Sequence, residues 1–186
     1  MHPQVAALHW GDRDVEATGW MRIHRASTWR CRAVSALLRL PRPGDRVRTE
    51  LLITRDGRNE RWVRRFGGGP AIRSQQSAGP HGELVEQFGP VAFVFAVELA
   101  GDQIRFHQRR CRLRLWWLDV PLPGALAPRV DAVAGPAPGG GVAVSVRAGL
   151  GRLGLLLAYE GTVDIRRTCD ANRFVAAGPA RAHRRI

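Results

Sequence analysis

From residue 44 onward, glycine and proline cut this chain into segments too short for most helices, and that punctuation limits it largely to strands. Segments 46–56 (RVRTELLITRD) and 59–67 (NERWVRRFG) flank Asp56-Gly57-Arg58, a hairpin signal. Segments 71–79, 82–89, 91–100, 103–118, 130–135, 142–148 and 153–165 continue the series, separated by turn residues. Upstream, residues 13–24 alternate Val15, Ala17, Gly19, Met21 and Ile23 with mostly polar neighbours, which reads as another strand. Gly19 would be its weak point or a bulge. The connector 119–129 is rich in proline and has room for a single helical turn. Eight or more short antiparallel strands must curl.

One stretch differs. Over 26–40, Trp29, Ala33, Ala36, Leu37 and Leu40 recur at helical spacing, beside a polar stripe of Arg25, Thr28, Arg32, Ser35 and Arg39. Pro41 and Pro43 stop it. An apolar face edged by arginine also fits a helix lying on a membrane surface. Packing on the sheet is favoured, because a sheet needs cover. The expected fold is therefore mainly β (α+β), a curved antiparallel sheet or partial barrel packed on one amphipathic helix. It would occupy residues 1–165, with 166–186 as a basic, mobile tail holding six arginines.

The strand 103–118 changes phase. Ile104 and Phe106 share one parity, whereas Cys111, Leu113 and Leu115 share the other. A period of two changes phase only through an extra residue, so a β-bulge is expected near 108–110. Beyond it, Arg110, Arg112 and Arg114 line one face, with Trp116 following. They form either an arginine ladder for an anionic ligand or a solvent face paired with Glu83, Glu86 or Glu98. Arg110, Arg112, Arg114, Trp116 and Glu86 are the candidate ligand-binding residues.

Charge sets the classes of partner. There are 29 basic residues against 16 acidic, for a net charge of +13, and every basic residue is arginine. Without lysine, Schiff-base chemistry is excluded. The surplus favours anionic partners, including nucleic acid. It is unevenly spread, since residues 74–104 contain no arginine. Three widely spaced cysteines give no disulfide framework or zinc motif, and point to a reducing, cytoplasmic setting. The N-terminus lacks the pattern of a signal peptide, and no apolar run approaches the ~20 residues that cross a bilayer.

Other motifs fail on context. Gly149–Gly154 spells GxGxxG, but strand-like sequence follows where a dinucleotide site needs a helix, so a hairpin turn is expected. His107 and Cys111 would be neighbours on a helix but lie about 13 Å apart on a strand. No metal, cofactor or catalytic residue is expected. Tyr159, in an apolar strand, reads as core. Clustering of Glu86, His107 and Tyr159 in one pocket would instead point to an enzyme.

The words Arg65-Phe66-Gly67-Gly68, Glu83-Leu84-Val85-Glu86-Gln87-Phe88-Gly89-Pro90, Trp116–Pro123 and Leu126-Ala127-Pro128-Arg129, with the closing segment Leu153–Gly161, occur in this order. In these the chain resembles a bacterial family known as domain-of-unknown-function family 4166, most closely over residues 45–165. The resemblance implies a domain that stands alone or follows nucleotide-binding oxidoreductase or epimerase-like domains, so an oxidoreductase-like partner is one expectation. The family brings no assigned catalytic residues. The leading expectation is a non-enzymatic binding or accessory module for a small apolar, amphipathic or anionic ligand. A nucleic-acid-binding protein and an enzyme of unrecognised type are the alternatives.

Overall fold

The computed structural model describes residues 2–124 and 127–169. In chain order these form α1 (Pro3–Trp10), β1 (Asp14–His24), α2 (Trp29–Leu37), β2 (Gly44–Asp56), β3 (Asn59–Phe66), β4 (Ile72–Ala78), β5 (Leu84–Phe88), β6 (Val91–Ala100), β7 (Gln103–Leu115), β8 (Leu118–Pro121), β9 (Pro128–Pro136), β10 (Val142–Leu150) and β11 (Gly154–Cys169). Successive strands pair antiparallel from β1 to β7, then β7 with β9, β9 with β10 and β10 with β11. β11 returns to β1, matching Asp14 with Cys169 and His24 with Ala158. The sheet is thus a closed ten-stranded barrel, with β8 folded back outside the ring on the end of β7. The expected curved or partial barrel is corrected here to full closure, which removes every free edge from the ring.

The hairpin at Gly57 forms as the sequence predicts, pairing Asp56 with Asn59 and holding Gly57 at φ +58°. The bulge is also where expected: Val94 pairs with Arg110 and Phe95 with Gln108, leaving Arg109 extra. It lets Phe106 and Cys111 face inward despite their opposite parity. The GxGxxG segment makes the tight connection between β10 and β11. Two elements escaped the sequence reading. α1 is a short helix with proline at its start, and β8 lies in the proline-rich connector. β11 runs to Cys169, so the expected tail loses its first four residues to the barrel, and residues 170–186 lie outside the described region.

Gly19 is not the bulge in β1, where the register shifts between Glu16 and Ala17. Its role is close approach at the seam. A Cβ on Gly19 would sit 1.8 Å from the Thr162 carbonyl oxygen, and one on Gly161 would sit 2.0 Å from that of Trp20. Only glycine lets β1 and β11 coil this tightly against each other.

The two ends of the barrel differ. At the end holding the β2–β3 turn, α1 acts as a plug: Val5 and Leu8 are buried against Val15, Ile53, Ile104 and Val142. Arg55 fastens it, donating to the carbonyl of Leu8 at 2.7 Å and also to that of Arg13. At the other end, α2 links β1 to β2. Thr28 caps it by accepting from the Cys31 amide, and the Cys31 thiol donates to the Leu153 carbonyl at 3.1 Å. The helix therefore packs through Cys31 and Ser35. This corrects the expected orientation, because Trp29, Ala33, Ala36 and Leu37 face outward.

Gly161→Val should lower stability by about 3 kcal/mol or more through overpacking at the seam. Gly139→Ala, where a Cβ meets nothing within 4 Å, should change it little. Urea unfolding midpoints of the two variants check this.

Candidate functional site

Ten strands enclose more space than side chains can fill, since about eight already give an interior just wide enough to be filled. The barrel accordingly holds a cavity of about 680 Å³. Its floor includes Leu8 and His9 of α1, and its wall is largely aromatic and aliphatic, with Phe66, Phe93, Phe95 and Leu157 among the lining residues. Arg39 and Arg73 line it yet are exposed, which marks the mouth at the α2 end.

A few polar groups break the apolar wall. Arg64 of β3, Gln76 of β4 and Glu86 of β5 take the inward parity of adjacent strands, Gln76 directly opposite Glu86 in the ladder. Arg64 donates to Glu86 Oε1 at 3.0 Å and to Ser74 Oγ at 2.9 Å, and Ser74 donates to the same carboxylate oxygen at 2.6 Å. The guanidinium also lies over the Trp62 ring, 4.8 Å from its centroid. Burial works against the Arg64 charge, but Glu86 and Tyr159 outweigh it and raise its pKa. Burial pushes the Tyr159 phenol up, with Arg64 opposing, so the hydroxyl stays protonated.

His9 sits between Trp62 and Phe106, with ring centroids 5.6 and 5.5 Å away. Burial, aided by Arg64 and Arg55, lowers its pKa to about 3, and its buried Nε2 has no hydrogen-bond partner. The Tyr159 phenol and the Gln76 side chain line the same cavity. The interior thus offers one neutralised ion pair, one imidazole nitrogen without a partner, and the neutral side chains of Gln76 and Tyr159. Burial thus keeps the His9 imidazole neutral near neutral pH and the Tyr159 phenol protonated.

The candidate ligand residues separate. Only Glu86 lies inside. Arg110 is outside, its Nη2 donating to both carboxylate oxygens of Glu83 at 2.8 and 2.6 Å. Arg112 and Arg114 share Asp119 of β8, at 2.6 and 3.2 Å. The hydrogen bond from Arg112, with Arg114 adding, holds the Asp119 carboxyl below its usual range. Trp116 is fully exposed at the β7–β8 turn. His107 bonds Glu98 on the outer surface at 2.9 Å, while Cys111 is buried, so the bulge parts these two. Glu86 and Tyr159 do share a cavity, but the histidine that joins them is His9 rather than His107. Arginine inside an otherwise apolar alternation (Trp62, Arg64, Phe66) was the signal available for Arg64. His9 gave none.

A β-barrel closed on itself, plugged at one end and lined by apolar side chains with a few convergent polar groups, defines a cavity-bearing barrel class. The chain belongs to the family described as domain of unknown function (DUF4166), whose model matches residues 1–163. No curated protein and no solved structure matches it significantly.

Glu86→Leu should destabilise the protein by about 3–5 kcal/mol, because it strands the buried Arg64 charge. Arg64→Met combined with Glu86→Leu should recover much of that loss in the same unfolding assay. His9 has a second consequence. The unfolded chain takes up its proton below about pH 6.5, the native state only near 3, so stability falls with pH across that window. The contribution approaches about 1.4 kcal/mol per pH unit. His9→Phe should flatten the slope by one proton in urea unfolding series from pH 7 to 4.

Proposed function

We propose that this protein is a binding module for a small amphipathic molecule, held with its apolar body inside the barrel. The observation that carries this reading is the apolar barrel cavity, open at one end, with His9, Gln76, Tyr159 and the Arg64–Glu86 pair as its few polar groups. A volume of about 680 Å³ falls in the range of ligand pockets, and an apolar wall with a few placed polar groups is the usual composition of such sites. Charge refines the ligand. Arg64 is already neutralised by Glu86, and His9 and Tyr159 are neutral, so the deep part of the cavity suits an uncharged oxygen function such as a hydroxyl or carbonyl. An anionic group would be met at the mouth by Arg39 and Arg73. A ligand carrying its charge deep in the barrel would have no free cation there.

The outer arginine face is less suited to this role. Arg110, Arg112 and Arg114 each hold a carboxylate partner, so an incoming anion would first have to displace Glu83 or Asp119.

Native mass spectrometry of protein purified from cells, followed by denaturing release, tests the reading. A stoichiometric molecule with an apolar body and few polar atoms is expected. Val146→Phe should reduce its occupancy severalfold by filling the cavity, and Tyr159→Phe should weaken binding by about 1 kcal/mol. Arg112→Ala should leave it unchanged. Loss of the ligand from Arg112→Ala alone would move the site to the outer face. Co-purifying nucleic acid that leaves with salt would favour a nucleic-acid-binding protein.

A further inference from the structure

We propose that the mouth end of the barrel docks on an anionic lipid surface through the outward face of α2 and the Trp116-Trp117 turn. The first ground is the orientation of α2. It buries Cys31 and the hydroxyl of Ser35, which has no hydrogen-bond partner, while Trp29 and Leu37 are left 74% and 82% exposed. An apolar face left to water contributes nothing by burial, and an apolar surface laid over it would add that stabilisation. Arg30 and Arg32 flank it at helical spacing, and the Arg30 guanidinium lies 5.4 Å from the centre of the Trp29 ring. Residues 25–44 hold five arginines and no acidic residue. An apolar stripe edged by cations is the arrangement that lies in a lipid headgroup layer.

The second ground is independent. The two-residue turn between β7 and β8 carries Trp116 and Trp117, 106% and 86% exposed. Trp116 has φ +26°, a conformation that favours glycine. A large aromatic side chain in an unfavourable backbone position, with nothing packed on it, is kept at a cost to the fold and points to a use outside it. By strand direction, β7 ends at the same end of the barrel as the β1–β2 crossing made by α2, so both tryptophan-bearing projections lie at that end. Tryptophan is at home at the boundary of lipid and water. Charge chooses the occupant: a second copy would set five arginines against five, whereas anionic headgroups complement them.

The test uses the full chain and sedimentation with vesicles of phosphatidylcholine alone or mixed with phosphatidylglycerol. Binding to the mixed vesicles only, weakened by high salt, is expected. Trp29→Ser with Leu37→Ser should reduce it about tenfold or more, since two large apolar groups no longer enter the lipid. Trp116→Gly should also weaken binding while keeping or raising the melting temperature, because glycine suits the turn; a merely structural residue would lose stability. Circular dichroism melts confirm that each variant folds. The proposal is overturned if the wild type ignores mixed vesicles, or if the double variant binds as well as wild type, which would reduce the effect to net charge. It is also overturned if the chain forms a dimer without vesicles that the double variant abolishes, which would assign the face to a second copy.

Discussion

The hydrogen-bonded ladder between β1 and β11 is the constraint on which the rest depends. It joins the first strand to the last, so every strand of the ring has two neighbours and the backbone polar groups find partners without an exposed edge. The ladder requires Gly19 and Gly161 to lie almost against the opposing backbone. Closure at ten strands also makes the interior too wide to fill. The cavity is a geometric consequence of the strand count, and α1 fills only one end of it.

Inside, the Arg64–Glu86 pair is the costly element. Two charges removed from water are tolerated only where geometry and extra hydrogen bonds compensate, and Ser74 and the Trp62 face supply these. A purely apolar lining would be no less stable by this reasoning. The pair leaves the chamber neutral overall, with a local dipole beside the Tyr159 hydroxyl, the Gln76 amide and the His9 imidazole. The two ends divide the work, since α1 closes the floor and sets His9 there, while α2 stands at the mouth with exposed arginine around it.

The outer wall follows ordinary solvated-surface rules. Arg110, Arg112, Arg114 and His107 meet Glu83, Asp119 and Glu98 across neighbouring strands, in exposed pairs that contribute little stability. They do reduce the free positive charge along that side. Residues 25–44 around α2 contain no acidic residue, so the large net charge is not evenly felt over the surface. No helix among the described residues is long and apolar enough to cross a membrane.

The strands, their turns and the bulge at Arg109 were legible because period-two alternation, glycine turns and a phase change are local, and local sterics decide them. The family was legible in the spacing of a few words for the same reason. The pairing of β11 with β1 was not, because it joins residues about 150 positions apart and no local signal records it. The face on which α2 packs was misread, since periodicity shows that a helix has two faces but not which one its anchors, Thr28 and Cys31, turn inward. Glu86 was expected on the outer arginine face, and the β3–β4–β5 pairing places it inside beside Arg64. By itself the sequence determined the strands, the charge and the absence of lysine chemistry. Only tertiary structure decided that the sheet closes, that a cavity forms and which polar groups meet inside it, because closure depends on distant segments meeting and short-range patterns do not encode distance in space.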